Sequence, residues 1–256
     1  MKPVVSQLAT TAIKGFGVQL PTSVQLTSGG ASGNRDFFLV DDRDKLFSVT
    51  RSGSFLPYSA RFDPESRVLT VAHGDDVICS GEVATAEPVH AHFFDDRYVD
   101  GRLVTGPWND VLSEIADRPV RLVEADQRSG GYDVTPITLV GDRSVDVLGT
   151  EENGEPLDSR RFRMLVTLTG LEAFEEDTWA GRRIRIGTCR LEVGGAVPRC
   201  AGVQLHPERG TRGVNALRMI REHRGVTPSQ LGPGLNLGVY AEVVEPGVIA
   251  VGDGLS

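Results

Sequence analysis

The residue pair best suited to chemistry is Arg199-Cys200, in the segment Val-Pro-Arg-Cys-Ala-Gly-Val. A cysteine thiolate binds soft metals and attacks electrophiles, and a neighbouring guanidinium favours the thiolate. A lone cysteine at a strand edge more often packs as a small hydrophobic residue, so both roles are open at this point. Pro198 indicates that the strand ends here, which would let both side chains face one site.

Arginines are dense around this pair, and the guanidinium group suits bidentate contacts with phosphate or carboxylate. The nearest are Arg182, Arg183, Arg185, Arg190, Arg209 and Arg212. The run Arg161-Phe162-Arg163 alternates charged and apolar residues, as a strand does, so we expect Arg161 and Arg163 on one face. Two arginines on one strand face would form an anion clamp.

Three other groups of residues could do chemistry, and each has an ordinary structural interpretation. His90 and His92 have the spacing that places two imidazoles on one strand face, but no third zinc ligand is near, so we favour an exposed pair. The acidic run 175–177 could hold a metal, although a solvated turn is the commoner role. Cys79 and Cys189 lie in alternating patterns, which predicts core packing.

The charge of the chain is unevenly distributed. The net charge is -8, but residues 1–159 hold 14 basic and 25 acidic residues, whereas residues 160–256 hold 13 and 10. Lys2, Lys14 and Lys45 are the only lysines, so nearly all of the positive charge is arginine. This composition favours a compact anionic ligand and argues against nucleic acid as a partner, because an acidic chain repels a polyanion.

Several protein classes lack their signatures in this sequence. No apolar run reaches eighteen residues and no signal peptide is evident, so we expect a cytoplasmic protein with no membrane partner. Three widely spaced cysteines form neither a CxxC site nor an even disulfide framework. There is also no glycine-rich phosphate loop ending in Lys-Ser/Thr, no GxSxG and no HExxH.

The hydrophobic pattern predicts a mainly β chain with some helix, divided into two domains. Short alternating runs between Gly, Ser and Asp turns predict a small β-barrel over residues 1–88. The second domain, 89–256, has a helix near 105–119 and another at 214–223, which Gly225 ends. The predicted strands are 18–20, 37–40, 45–49, 59–63, 68–72, 76–79, 120–124, 163–168, 183–186, 189–193, 201–205, 240–244 and 247–251, and 138–146 is either strand or short helix.

In their order along the chain, these segments resemble the MOSC family, the domain shared by the molybdenum cofactor sulfurase C-terminus and the mitochondrial amidoxime reducing component. The run 161–163 is similar to the family's Arg-Phe-Arg-Pro-Asn strand, and Phe-Glu-Glu-Asp-Thr-Trp at 174–179 to its acidic turn. Arg199-Cys200, followed by His-Pro-Glu at 206–208, resembles its Arg-Cys segment. The segments 238–241, 246–249 and 251–253 resemble its closing strands.

The N-terminal module resembles the β-barrel that precedes MOSC in the amidoxime-reducing subgroup. Ile13-Lys14-Gly15 occupies the place of the family's Pro-Val-Lys-Ser, and residues 34–41 that of its Asp-Arg strand. The resemblance implies an N-terminal β-barrel followed by a MOSC-type β-barrel domain with a few helices.

A molybdenum cofactor, molybdopterin, is the ligand that the resemblance implies. Cys200 would coordinate the metal through its thiolate, and soft sulfur suits such a centre. Charge-assisted bonds from basic residues would hold the phosphate and dithiolene. These residues are Lys14, Arg35, Arg161, Arg163 and Arg199. The chain departs from the family pattern at Met164-Leu165, which replaces Pro-Asn, and at Gly15, Asn34 and Pro198.

Three functions are compatible with these residues, and we rank the first highest. A reductase of N-hydroxylated or S- and N-oxide small molecules would take electrons from a separate protein, because no cysteine cluster for an iron–sulfur centre exists here. A metal-independent sulfur-transfer protein would use Cys200 as a persulfide carrier or a nucleophile. It would need a separate sulfur donor, because the pyridoxal phosphate domain that is fused to some MOSC chains has no counterpart in this sequence. A non-catalytic cofactor binder would keep only the arginine pocket.

Overall fold

Strands dominate the computed structural model, which describes residues 2–256. The prediction of a mainly β chain with some helix is confirmed. The strands are β1 (Val4–Leu8), β2 (Ser23–Thr27), β3 (Gly30–Ala31), β4 (Phe37–Val40), β5 (Leu46–Phe47), β6 (Tyr58–Asp63), β7 (Val68–His73), β8 (Asp76–Glu82), β9 (Thr85–Phe94), β10 (Arg97–Val104), β11 (Arg121–Ala125), β12 (Ile137–Gly141), β13 (Val166–Thr169), β14 (Arg183–Ile186), β15 (Cys189–Pro198), β16 (Asn236–Glu245) and β17 (Gly247–Ala250); the helices are α1 (Trp108–Ala116), α2 (Asp142–Asp146) and α3 (Ala216–Arg224).

Two antiparallel sheets enclose an aromatic core in the N-terminal part of the molecule. One has the strand order β5-β4-β11-β10-β9 and the other β6-β7-β8. The alternation of β7 shows why these residues form a strand, because Leu69 and Val71 are fully buried while their neighbours are partly exposed. Phe16 and Phe55 stack in this core with ring centroids 4.7 Å apart, and Trp108 of α1 is buried against it.

A six-stranded sheet with the order β1-β13-β12-β16-β15-β14 forms the C-terminal part. The strands β12 and β13 are parallel, and the other neighbours are antiparallel. The first six residues of β16 are all buried, which is typical of a strand covered on both faces. A three-stranded sheet, β17-β2-β3, packs beside it.

Strand pairing joins distant parts of the chain. The first strand, β1, pairs with β13, and the last, β17, pairs with β2. The predicted boundary between residues 88 and 89 lies inside β9, which belongs with β10 and β11 to a sheet that also contains β4 and β5. The division into domains 1–88 and 89–256 stays a prediction.

The two long helices confirm the expected helical segments. In α1, one apolar face is buried, and Asp117 ends the helix in the left-handed conformation. The side-chain oxygen of Asn215 caps α3 by accepting a hydrogen bond from the Arg218 N–H, and Gly225 ends that helix. Within residues 2–256 no helix has the length and apolar character needed to cross a bilayer.

The predicted strand face shared by Arg161 and Arg163 is wrong. Residues 159–162 form a short 3-10 turn, because the Asp158 carboxylate caps it by accepting a hydrogen bond from the Arg160 N–H. Arg163 ends the turn with φ of 52°, so the strand β13 begins only at Val166. The two arginines therefore reach their positions through a tight turn.

Three further expectations are corrected by the structure. Residues 201–204 form a 3-10 turn that starts at Cys200, instead of a strand. The predicted strand 18–20 reduces to a single bridge between Thr10 and Gln19. The acidic run 175–177 is not a solvated turn, because the Glu176 side chain is fully buried and accepts a hydrogen bond from the Ser144 hydroxyl at 2.9 Å.

Candidate functional site

A cavity of about 370 Å³ lies where the N-terminal loops meet the six-stranded sheet. Its volume falls in the usual range for small-molecule sites. All six predicted site residues line it. The lining consists of Lys14, Gly15, Arg35, Leu46, Ser48, Val49, Thr50, Phe93, Phe94, Asp133, Thr135, Thr138, Arg161, Phe162, Arg163, Met164, Val197, Pro198, Arg199, Cys200, Gly202, Val203, Leu231 and Tyr240.

Cys200 lies at the point where β15 ends and the 3-10 turn 201–204 begins. Its side chain is exposed to the cavity. By contrast, Cys189 is fully buried in the core of the six-stranded sheet, and Cys79 is partly buried against the aromatic core of the N-terminal part. A Cβ atom at Gly202 would lie 2.6 Å from a methyl group of Val49 and 3.5 Å from the Cys200 sulfur. Glycine at this position therefore leaves space beside the thiol.

Arg199 holds the Cys200 segment to the rest of the site. Its guanidinium donates hydrogen bonds to the Phe162 carbonyl at 2.9 Å and to the Leu237 carbonyl at 3.0 Å, and it contacts the Met164 sulfur. Burial lowers the pKa of Arg199 to about 10. These hydrogen bonds tie the segment that carries Cys200 to the turn that carries Arg163.

Arg35 and Arg163, both half-buried, form the cationic wall of the cavity. Both are non-glycine residues in the left-handed region, with φ of 57° and 52°. The Arg35 guanidinium donates to the Arg163 carbonyl at 3.3 Å, while the buried Nη2 of Arg163 has no hydrogen-bond partner. Burial and the charge of Arg35 together lower the pKa of Arg163 to about 9. A buried donor without a partner, beside a second cation, indicates a site for an anion.

Lys14 and Asp133 form an ion pair at the same cavity. The ammonium nitrogen lies 2.8 Å from a carboxylate oxygen. Burial lowers the pKa of Lys14 to about 8, although Asp133 opposes the shift. Burial would raise the pKa of Asp133, but the charges of Lys14 and Arg35 outweigh it and lower that pKa to about 2. The pair is therefore ionised at neutral pH. Because the charges of Lys14 and Asp133 offset each other, the positive charges of Arg35 and Arg163 remain unbalanced.

Arg161 lines the cavity but is tied to the protein. Its fully buried side chain forms a bidentate ion pair with Glu151, with Nε 2.6 Å from one carboxylate oxygen. It also donates to the Leu205 carbonyl at 2.9 Å. This arginine connects the loop that carries Glu151, the turn before Arg163 and the segment after Cys200.

Sequence reasoning missed several polar residues of the site. Asp133, Thr135, Thr138 and Tyr240 line the cavity, and the buried hydroxyl of Thr135 has no hydrogen-bond partner. Burial raises the pKa of Tyr240 to about 12. For Asp133 and Thr135, the sequence did offer a signal, because both lie in a polar segment directly before the buried strand β12.

The departures from the family pattern do not all fall on the cavity. Met164, Gly15 and Pro198 line it. Leu165 is instead buried in the core of the six-stranded sheet, and the Asn34 side chain accepts a hydrogen bond from the Thr11 N–H at 3.0 Å. The changes at these last two positions therefore leave the cavity wall unaltered.

The two histidines of β9 have separate surface contacts. His90 pairs with Asp100 at 2.6 Å, and the His92 ring nitrogen lies 2.8 Å from the Asp95 carbonyl oxygen. Tyr98 packs between the two rings. Across residues 2–256, no group of three or more His, Cys, Asp and Glu side chains is arranged to hold a metal ion.

Comparison with known proteins connects this cavity to a family. The MOSC domain model matches residues 126–256, which include Asp133, Arg163, Arg199 and Cys200. The chain belongs to the MOSC family. The resemblance found in the sequence is thereby confirmed for this MOSC protein.

The relatives of this MOSC protein include three with informative names. Mitochondrial amidoxime-reducing component 1 of Xenopus laevis is 29% identical over 125 residues, covering 47% of this chain and 36% of the relative. Mitochondrial amidoxime reducing component 2 of Homo sapiens is 30% identical over 127 residues, with the same coverage of 47% and 36%. Molybdenum cofactor sulfurase of Caenorhabditis elegans is 23% identical over 239 residues, covering 87% of this chain and 32% of the relative.

The chain spans about a third of the length of these relatives. Their names associate the family with the molybdenum cofactor and with enzymatic chemistry. The donor set fits such a ligand, because the cavity combines a soft thiol with excess positive charge and an unpartnered arginine nitrogen.

Proposed function

We propose that the protein is a molybdenum-cofactor-dependent reductase of small N-hydroxylated or S- and N-oxide molecules. The observation that carries the proposal is the convergence of the Cys200 thiol with Lys14, Arg35 and Arg163 in one cavity. Asp133 is the carboxylate that faces these cations, so the cavity has an excess of positive charge. An anionic ligand that also carries a soft metal satisfies both features.

Each residue has a distinct part in this proposal. Lys14, Arg35 and Arg163 would hold the phosphate and pterin, and Cys200 would provide a thiolate to the metal. The bound cofactor would supply oxygen-atom transfer coupled to two-electron reduction. Arg199 would keep Cys200 in place, because its guanidinium donates to two carbonyl groups of neighbouring segments. Electrons would come from a centre outside this sequence, such as a separate protein, because its three cysteines are too few for a four-cysteine cluster.

The cofactor content of the purified protein tests this proposal. Protein made in a host that synthesises the cofactor is expected to contain equimolar molybdenum and pterin. Lys14→Met and Arg163→Ala remove cations from the cavity, and each should lower both contents about tenfold. Lys45→Met is the matched control, because Lys45 is an exposed lysine outside the cavity lining. Wild-type protein without molybdenum and pterin, or equal contents in all three variants, would contradict the proposal.

A sulfur carrier is the second candidate, and the exposed Cys200 thiol favours it. A carrier would accept sulfur when the Cys200 thiolate attacks the outer sulfur of a persulfide on a separate donor protein, which forms the Cys200 persulfide and releases the donor's thiolate. Incubation with a cysteine desulfurase and cysteine, followed by mass spectrometry, distinguishes the two functions. A persulfide confined to Cys200 in protein that never contains molybdenum would support the carrier, whereas unmodified Cys200 in molybdenum-containing protein would support the reductase.

A further inference from the structure

The loop between α3 and β16 carries an apolar residue to the cavity. We name residues 226–235 the flap. Leu231, near its tip, lines the cavity although 51% of its surface is exposed to solvent. An apolar side chain at a cavity rim gains stabilisation only when another apolar group covers it. Leu231 is thus placed to contact whatever enters the cavity.

The flap has a defined shape because its backbone is hydrogen-bonded at the base and the tip. At the base, Thr227 and Gly234 exchange two backbone hydrogen bonds of 3.0 Å. The Asn236 amide donates to the carbonyls of Thr227 at 2.8 Å and Pro228 at 3.0 Å. At the tip, the backbones of Ser229 and Gly232 are also paired. This arrangement fixes Leu231 before any ligand binds.

Packing on β15 relates the flap to Cys200. Gln230 lies against the glycine pair Gly194-Gly195, where the strand has an irregular register, and a Cβ at Gly195 would lie 3.2 Å from the Gln230 Cγ atom. Directly after the end of β15, the Arg199 N–H donates to the Leu235 carbonyl at 2.8 Å. The flap is therefore attached to the strand that ends beside Cys200.

Apolar side chains from other segments share this cavity with Leu231. Val49 packs against Gly202, two residues after the cysteine, and Val203 follows directly. Leu46 and Phe94 add further apolar surface. The cavity therefore combines the charged residues that would hold the cofactor with apolar side chains, of which Val49 and Val203 lie next to the Cys200 segment.

We infer that Leu231 is a specificity-determining residue that favours substrates with an apolar substituent, such as a ring or alkyl chain, next to the group presented to Cys200. Its role in substrate choice rests on the proposed function, whereas the apolar preference of the cavity does not. The neighbouring Val226 is also apolar and 59% exposed, but it lies at the flap base and outside the cavity lining.

Reaction of the Cys200 thiol with neutral maleimides measures this preference without molybdenum. The full chain is made in a host without pterin synthesis, so the thiol is free. Rates for N-benzylmaleimide and N-methylmaleimide are measured at Cys200 by peptide mass spectrometry and divided by the rates for free cysteine. The wild type should favour the benzyl reagent. Leu231→Ala and the similarly sized Leu231→Gln should each lower the benzyl-to-methyl ratio about fivefold.

Val226→Ala should leave the benzyl-to-methyl ratio unchanged, because Val226 is not among the residues that line the cavity. A ratio that Leu231→Ala and Leu231→Gln leave unaltered, or that Val226→Ala lowers equally, would overturn the inference. The result is separable from the proposed function, because a chain that binds neither molybdenum nor pterin can still show the apolar preference. In cofactor-loaded protein, Leu231→Ala should raise KM for a phenyl-substituted N-hydroxylated substrate more than for a methyl-substituted one.

Discussion

Two arginines with left-handed backbones, Arg35 and Arg163, mark the site at the scale of single residues. This conformation costs about 1 kcal/mol or more for a residue with a Cβ, and glycine adopts it freely. Here the strained residues contact each other at the cavity, because the Arg35 guanidinium donates to the Arg163 carbonyl. A strained residue whose side chain has an unpartnered donor is explained better by ligand binding than by stability.

Replacing Arg163 with glycine should separate stability from binding. The Arg163→Gly variant relieves the strain, so its free energy of unfolding should stay within about 1 kcal/mol of wild type, while molybdenum and pterin are lost. Asp117→Gly is the control, because Asp117 has φ of 53° at the end of α1 and lies outside the cavity lining. Urea unfolding and cofactor content measure both effects. If Arg163→Gly retained the full cofactor content, the Arg163 side chain would not be a cofactor-binding group.

The charge state of Lys14 should make anion binding depend on pH. Burial lowers its pKa to about 8, so the ammonium is present below that pH and lost as the pH rises through it. Sulfate stays divalent over this range. Its affinity for the cofactor-free protein should fall about tenfold between about pH 6.5 and 9.5, first as Lys14 loses its charge and then as Arg163, whose pKa is about 9, loses its own. Calorimetric titration measures the affinity. Lys14→Met should bind weakly at every pH, and a wild-type affinity independent of pH would contradict the assignment.

At the scale of elements, the alternating pattern predicted strands well where one face packs on a core. Such patterns identified β4, β6, β7 and β14. They failed at residues 159–163 and 201–204, which form the turns of the site. In these turns hydrogen bonds decide the structure: the Asp158 side chain caps the first, and the Cys200 carbonyl accepts the Val203 N–H in the second. Periodicity does not report such contacts.

The Arg161–Glu151 pair tests how these turns are held together. Arg161 is fully buried and bonded both to Glu151 and to the Leu205 carbonyl. Glu151→Ala should lower the free energy of unfolding by about 3 kcal/mol, because it leaves a buried charge unpaired. The double variant Arg161→Met with Glu151→Leu should recover most of that loss. Urea unfolding tests this, and equal losses in the single and double variants would contradict it.

At the scale of the whole molecule, the site depends on strand pairings between distant parts of the chain. Pairing of β1 with β13 and of β17 with β2 brings the N-terminal loops to the C-terminal sheet. The resemblance to the MOSC family, whose motifs occur here in the same order, made it possible to predict that Lys14, Arg35, Arg163 and Cys200 belong to one site. Asp133 and the flap were not predicted, because their relation to Lys14 and Cys200 arises from three-dimensional packing and leaves no local pattern.

Coordination of molybdenum by Cys200 is tested most directly by counting the sulfur ligands around the metal with X-ray absorption at the molybdenum edge. We expect wild-type protein to bind the metal with one sulfur ligand more than the Cys200→Ser variant, because Cys200 supplies a thiolate. Cys189→Ser is the matched control and should leave the number unchanged, since Cys189 is buried in the core. Equal numbers of sulfur ligands in wild type and Cys200→Ser, or wild-type protein without molybdenum, would contradict coordination of the metal by Cys200.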